Sequence, residues 1–202
     1  MKKLLRIDAS SRMTESHSRK LADEFEKTWL AANPDGEVIH RDVVKHPLPH
    51  IHEATITGFY TPIDQHDDTL KQAVALSDEV IEELQSADEI LISSPLYNFS
   101  IPSALKAYID HISRAGFTFS YDENGFKGLV NANKAYVATA KGAVYAGTEI
   151  SGLDMMEPYL KLILNFLGIE QVEFLNVEGT SMDENAVAQT RNDAITKMNS
   201  LM

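Results

Sequence analysis

Three short stretches of this chain hold residue types at spacings that suit chemistry. The first, "ASSRMTESHSRK" from Ala9 to Lys20, gathers the hydroxyls of Ser10, Ser11, Thr14, Ser16 and Ser18 with Arg12 and Arg19. A helical pattern begins within it. The first amides of a helix have no partner inside the helix, so they attract an anion that adjacent hydroxyls can also bind. No G-x-G-x-x-G and no Walker lysine motif is present, so a dinucleotide pyrophosphate cradle is not indicated. The loop suits a single terminal phosphate monoester. The same residues also read as a plain helix cap by Ser16 with solvated neighbours, and on this loop alone the two readings stand level.

The second stretch, "SPLYNFSIP" from Ser94 to Pro102, follows an apolar run of strand length. Pro95 and Pro102 stiffen its two ends and bias the residues before them toward extended geometry. Leu96, Tyr97, Asn98 and Phe99 lie between them, which offers rings and backbone N–H groups to a planar aromatic ligand. Covering the end of the core is the competing role for these aromatics. The third stretch, Ala140, Lys141, Gly142 and Ala143, is mostly small and would let backbone approach a ligand closely. His46, His50 and His52 in "HPLPHIH" suggest a metal at first sight. The prolines preclude a regular helix, and no carboxylate recurs at ligand spacing, so no metal site is assigned and the segment is read as a rim loop. His111 is read as structural, and no G-x-S-x-G elbow supports a hydrolase.

Elements alternate in the way needed to hold these stretches together. Strands are expected at Lys3 to Ala9, Glu37 to Val44, Glu89 to Ser94, Lys134 to Ala140 and Val172 to Val177. Helices are expected at Ser16 to Ala32, Thr69 to Ser86, Pro102 to Arg114, Asp154 to Gly168 and Glu184 to Met202. The inward faces are read as Leu21, Ala22, Phe25, Trp29 and Ala32 on the first helix, and as Ala73, Leu76, Val80, Ile81 and Leu84 on the second. Such alternation means a parallel sheet with helices on both faces, a three-layer α-β-α arrangement in which strand order 2-1-3-4-5, that of a flavodoxin-like fold, is the natural candidate. Two segments fall outside it. Lys45 to Asp68 is long and irregular, and Gly116 to Leu129 carries an alternating pattern with an Asn124-Gly125 turn, an inserted β-hairpin. Ligands of open α/β sheets bind beyond the carboxyl ends of the strands, which is where all three stretches fall.

The whole chain bounds the function. Its 202 residues suit one domain, residues 1–202, and 44% hydrophobic with 24% charged residues is the balance of a soluble globular protein. Lys and Arg number 18 against 30 Asp and Glu, and they are dispersed, which argues against nucleic acid as a partner. No apolar run approaches the ~20 residues of a membrane helix, and no signal-peptide core is present. The absence of cysteine excludes disulfides and thiol chemistry and fits a cytoplasmic protein.

"SPLYNFSIPSALKAYIDHISRAGFTF" and "ENGFKGLV", with the S-H-S after the first strand and "PYL…FLGI" in the fourth helix, resemble the FMN-dependent NADH:quinone oxidoreductase and NADH-azoreductase family, over nearly the whole chain. The resemblance implies bound, non-covalent FMN, with NADH as electron donor and quinones or aromatic azo compounds as acceptors. It places the phosphate pocket on Ser10, Ser16, His17 and Ser18, and the ring-binding loop on Leu96, Tyr97, Asn98 and Phe99. A second flavin loop, Ser-Arg-Gly-Gly in the family, falls on Ala140, Lys141, Gly142 and Ala143. There the chain departs from the pattern, and lysine does not reproduce the planar fork of arginine. The resemblance also implies a homodimer with each flavin at the subunit boundary. Ping-pong kinetics are expected, because donor and acceptor would share one open face, and by analogy Tyr121 of the hairpin would wall the substrate pocket. The alternative is a flavodoxin-like FMN carrier or binding module without small-substrate turnover; the inserted hairpin and the long loop favour the enzyme.

Overall fold

A computed structural model describes residues 1–123 and 125–202. The elements are β1 (Lys3–Asp8), α1 (His17–Ala32), β2 (Glu37–Asp42), α2 (Glu53–Tyr60), α3 (Asp68–Ser86), β3 (Glu89–Pro95), α4 (Ser103–Ile112), β4 (Phe119–Asp122), β5 (Gly125–Gly128), β6 (Lys134–Ala140), α5 (Met156–Phe166), β7 (Gln171–Val177) and α6 (Glu184–Leu201). Five strands form a parallel sheet in the order β2-β1-β3-β6-β7, the order expected, and β4-β5 form a separate antiparallel hairpin. This is a flavodoxin-like α/β fold.

Strand alternation divides the core. Leu5, Ile7, Ile90, Ile92, Ala135 and Val137 face α3, α4 and α5. Leu4, Leu91, Tyr136 and Ala138 face α1 and α6, where Phe25 and Trp29 of α1 fill the layer. Each fully buried side chain of this size stabilises by roughly 1.5–3 kcal/mol. β3 is buried along its whole length, as the central strand of a parallel sheet should be. Its buried Glu89 accepts a hydrogen bond from Trp29 Nε1 at 2.6 Å and pairs with Lys2 at 2.9 Å. The register aligns Pro95 with Ala140 and Ala140 with Val177, so the segments after β3, β6 and β7 leave the sheet along one edge, and the segment after β1 leaves at the same end.

Three expectations need correction. Ala32 is exposed, because the last turn of α1 runs past the packed face before the chain reverses through Asn33 to Gly36. On α3 the buried stripe is Val74, Ser77, Val80, Ile81 and Leu84; Leu76 is 42% exposed and Ala73 only half-buried. Ser77 conceals that stripe from a hydropathy reading. Its hydroxyl donates to the His111 carbonyl at 2.6 Å, which lets a polar side chain occupy the centre of an apolar face. The segment Lys45 to Asp68 is not wholly irregular, since α2 and a 3₁₀ turn at Ile63–Gln65 lie inside it. Gly58 of α2 packs against α3 so closely that an added Cβ would sit 2.5 Å from Val74.

The hairpin is fixed at its stem. The Gln85 side-chain amide donates to the Phe117 carbonyl at 2.9 Å and the Leu129 carbonyl at 3.1 Å, and its oxygen accepts from Asn131 N at 3.1 Å. Gly128 lies against the end of α5; a Cβ there would be 2.1 Å from the backbone nitrogen of Gly168. Phe119 and Phe126 pack against Phe166 of α5 in tilted and edge-on arrangements, with ring centroids 4.7 and 5.3 Å away. Of the expected turn residues, Asn124 lies outside the described residues.

Candidate functional site

The carboxyl edge of the sheet opens into a cleft of ≈ 250 Å³. Ser10, Arg12, Glu15, Ser16 and His17 form one wall, on the loop after β1 and the first turn of α1. Pro95, Leu96 and Tyr97 form a second, and Ala140, Gly142, Thr180 and Ser181 complete it. Hydroxyl loop and aromatic loop, far apart in sequence, thus meet in one space.

The hydroxyl wall is polar and directed. Ser16 caps α1, accepting from Arg19 N at 3.3 Å, and lies 3.2 Å from the hydroxyl of Ser18. Ser18 is fully buried and supports the wall from beneath rather than lining it. The Ser10 hydroxyl accepts from Arg12 N at 3.3 Å. Partial burial, then the positive charges of Lys20, Arg191 and Arg12, lower the His17 pKa, so at neutral pH its ring is an uncharged donor and acceptor. Glu15, the one carboxylate on this wall, pairs with Lys20 at 2.9 Å.

The aromatic wall is a tight turn. Tyr97 N donates to the Ser100 carbonyl at 2.9 Å and Ser100 N to the Tyr97 carbonyl at 3.0 Å, with Asn98 (φ 49°) and Phe99 (φ 70°) both left-handed at its tip. Two consecutive left-handed residues make a type I′ turn, for which glycine suits the second position. Holding Phe99 there costs about 1–2 kcal/mol. The surroundings enforce it: Leu96 N donates to the Ala140 carbonyl at 2.8 Å, and Met155 N donates to the Phe99 carbonyl at 3.0 Å. Asn98 and Phe99 do not line the cleft; Phe99 points outward and is 51% exposed. A strained, over-determined turn beside a cleft is a mark of function.

Lys141 turns away from the cleft that Ala140 and Gly142 line. Its ammonium sits in a cage of carboxylates: Asp154 at 2.7 Å, Glu178 at 3.1 Å, and Glu157. Burial pulls its pKa down, but hydrogen bonds and charge from Asp154 and Glu157 outweigh burial and leave it raised. The cage lines a neighbouring cavity of ≈ 450 Å³ with Tyr145 and Met155. Ala143 is tied by its carbonyl to Gly179 N at 3.1 Å.

Sequence reasoning passed over Glu15, Thr180 and Ser181 as cleft residues. Gly179, at φ 80°, breaks the chain after β7, and the hydroxyls that follow were the available signal. Tyr121 is 70% exposed on the hairpin, 4.9 Å from the ring of Phe126, and lies outside the cleft. His46 and His50 are exposed, and His52 Nδ1 is 3.0 Å from Thr55 Oγ1 at the start of α2. His111 is buried, with Nε2 donating to the Pro49 carbonyl at 3.0 Å. Among the described residues no three His, Asp or Glu side chains converge as a metal site.

The family model for the flavodoxin-like fold matches residues 2–201. A protein of Xanthobacter autotrophicus named FMN-dependent NADH:quinone oxidoreductase is 47% identical over 86% of this chain and 84% of its own length. One of Azotobacter vinelandii with the same name is 43% identical over 90% of each chain. The chain belongs to the FMN-dependent NADH:quinone oxidoreductase family. The crystal structure of an azoreductase from Bacillus anthracis superposes with a TM-score of 0.89 at 28% identity, covering 99% of this chain and 100% of that one. In this member of the quinone oxidoreductase family Lys141 belongs to the buried cage, and its side chain does not line the cleft.

Proposed function

We propose that this chain is an FMN-dependent oxidoreductase of one domain, residues 1–202, that uses NADH to reduce quinones by two electrons and to cleave aromatic azo compounds, with ping-pong kinetics. The observation that carries the reading is the meeting of hydroxyl wall and aromatic loop in one cleft at the sheet's carboxyl edge. The donor set fits FMN. Ser10, Ser16, His17, Thr180 and Ser181, with the His17 and Ser18 amides at the start of α1, would hold the terminal phosphate. Leu96 and Tyr97 would flank the ring system, and Ala140 and Gly142 leave room for its edge. Bound FMN supplies hydride acceptance from NADH and two-electron delivery to the acceptor.

The protein's own part is to bind and orient. The Tyr97–Ser100 turn holds the aromatic wall rigid, so no loop must order itself when a ligand arrives. Exposed apolar side chains on the hairpin and on α5, Tyr121, Phe126 and Leu162, favour a homodimer in which Tyr121 walls the acceptor pocket. Among the described residues no helix is long and apolar enough to cross a membrane, and a cytoplasmic location suits the NADH donor.

The test is an absorbance spectrum of the protein with FMN, followed by anaerobic NADH and then benzoquinone. Bleaching of the flavin bands by NADH and their return with quinone is the expected result. Bound flavin that NADH leaves unbleached would overturn the enzyme reading in favour of an electron carrier.

A further inference from the structure

Among the buried charges that the proposed chemistry leaves unused, one stands directly behind the hydroxyl wall. Arg19, on the first turn of α1, is only 9% exposed. Its Nε and Nη2 donate to the Ser10 carbonyl at 3.1 and 2.8 Å. The same guanidinium binds Asp42 at the end of β2 through both oxygens, Nη1 at 2.7 Å and Nη2 at 3.1 Å, and passes 3.6 Å from Asp8 at the end of β1. Asp42 is itself fixed, accepting from Val44 N and Lys45 N at 3.0 Å each.

We infer that Arg19 is the positioning residue of the phosphate pocket, setting the direction of the loop after β1 through its hold on the Ser10 carbonyl. The inference rests on the phosphate reading of that pocket given above. A trans peptide points its C=O and N–H in opposite directions. With the Ser10 carbonyl turned inward to Arg19, the Ser11 amide points away from the buried guanidinium. Arg19 also serves the opposite part of the wall, since its backbone N–H holds the Ser16 hydroxyl at 3.3 Å. One residue therefore sets both Ser10 and Ser16, and Asp42 links the end of β2 to the site. Arginine is required because a single planar fork must meet a carboxylate and a carbonyl together; the point charge of lysine can serve one of them.

The experiment titrates the flavin-free protein and its Arg19→Lys and Asp42→Asn variants with FMN and with riboflavin, which has the same ring without phosphate. Native protein should bind FMN far more tightly than riboflavin; equal affinity would overturn the phosphate reading itself. Arg19→Lys should weaken FMN by about tenfold, the scale of one charge-assisted hydrogen bond, while riboflavin affinity stays within about twofold. Asp42→Asn should give a smaller loss of the same kind. A preference for FMN over riboflavin unchanged in both variants would overturn the inference, as would parallel loss of both flavins, which is the mark of a merely structural role.

Discussion

Replacing Lys141 by methionine removes the ammonium that Asp154, Glu157 and Glu178 share and leaves three acidic groups facing one another. Methionine keeps most of the stem, so the loss is one of charge rather than volume. Removing one partner of a buried ion pair costs about 3–5 kcal/mol. Each carboxylate here keeps a second donor: Asp154 accepts from Met156 N at 2.9 Å, Glu157 from Asn176 Nδ2 at 2.8 Å, and Glu178 from Tyr145 N at 2.8 Å and Ala146 N at 3.0 Å. The expected loss is therefore at the lower end, about 3 kcal/mol, or a fall of roughly 10 °C in Tm for a chain of this size. The pH dependence carries a sign. In the native protein Lys141 has a raised pKa, so its contribution is fully present below the ordinary lysine value and is lost only as pH rises through the folded value. In the variant the carboxylates repel one another and bind protons more readily than in the unfolded chain, so the deficit should shrink between pH 7 and pH 5. Urea unfolding at the two pH values measures it, and Lys141→Arg should stay within about 1 kcal/mol of native because the charge is kept. A deficit below about 1 kcal/mol for Lys141→Met, or one of equal size at both pH values, would refute the reasoning.

Other outcomes follow from the packing. Gly128→Ala should destabilise by about 1–3 kcal/mol, seen as a lower urea midpoint, because the new Cβ meets backbone of Leu167 and Gly168 that has no room to yield. Leu76→Lys should leave stability within about 0.5 kcal/mol, whereas Leu84→Ala should cost about 2–5 kcal/mol; comparable losses at the two positions would contradict the buried stripe of α3. Burial pushes the Asp42 carboxyl up, but hydrogen bonds from Arg19 and from the Lys45 and Val44 amides prevail and lower its pKa to about 2. Its contribution is then present above the ordinary carboxylate range and lost as pH falls through about 2, and Asp42→Asn should flatten the acid limb of the stability curve between pH 4 and 2, read by urea unfolding across that range.

Much of this was legible in the sequence. The strands declared themselves by length and apolar content, and the period of two that buries Leu5 and Ile7 on one face and Leu4 on the other places the loops at one edge. α2 was hidden because "EATITGFY" mixes β-branched residues with Gly58, a composition that argues against a helix until Val74 is seen occupying the space a side chain would need. The direction of Lys141 was within reach, since alternation along the strand end turns it opposite to Ala140 and Gly142. Its partners were not, because Asp154, Glu157 and Glu178 come from two other segments. Thr180 and Ser181 fall between the last expected strand and the last expected helix, and the sheet order brings them to the cleft.

The hairpin has a consequence for how such a protein can change over generations. Its stem is held by Gln85 and by glycine backbone, contacts that ask nothing of the exposed side chains Glu123 and Lys127. Among the described residues, the five-stranded sheet forms no ladder with it. Mutations at those outward positions are thereby insulated from the folding of the scaffold, and natural selection can explore new surfaces on the insertion while the architecture beneath stays constant.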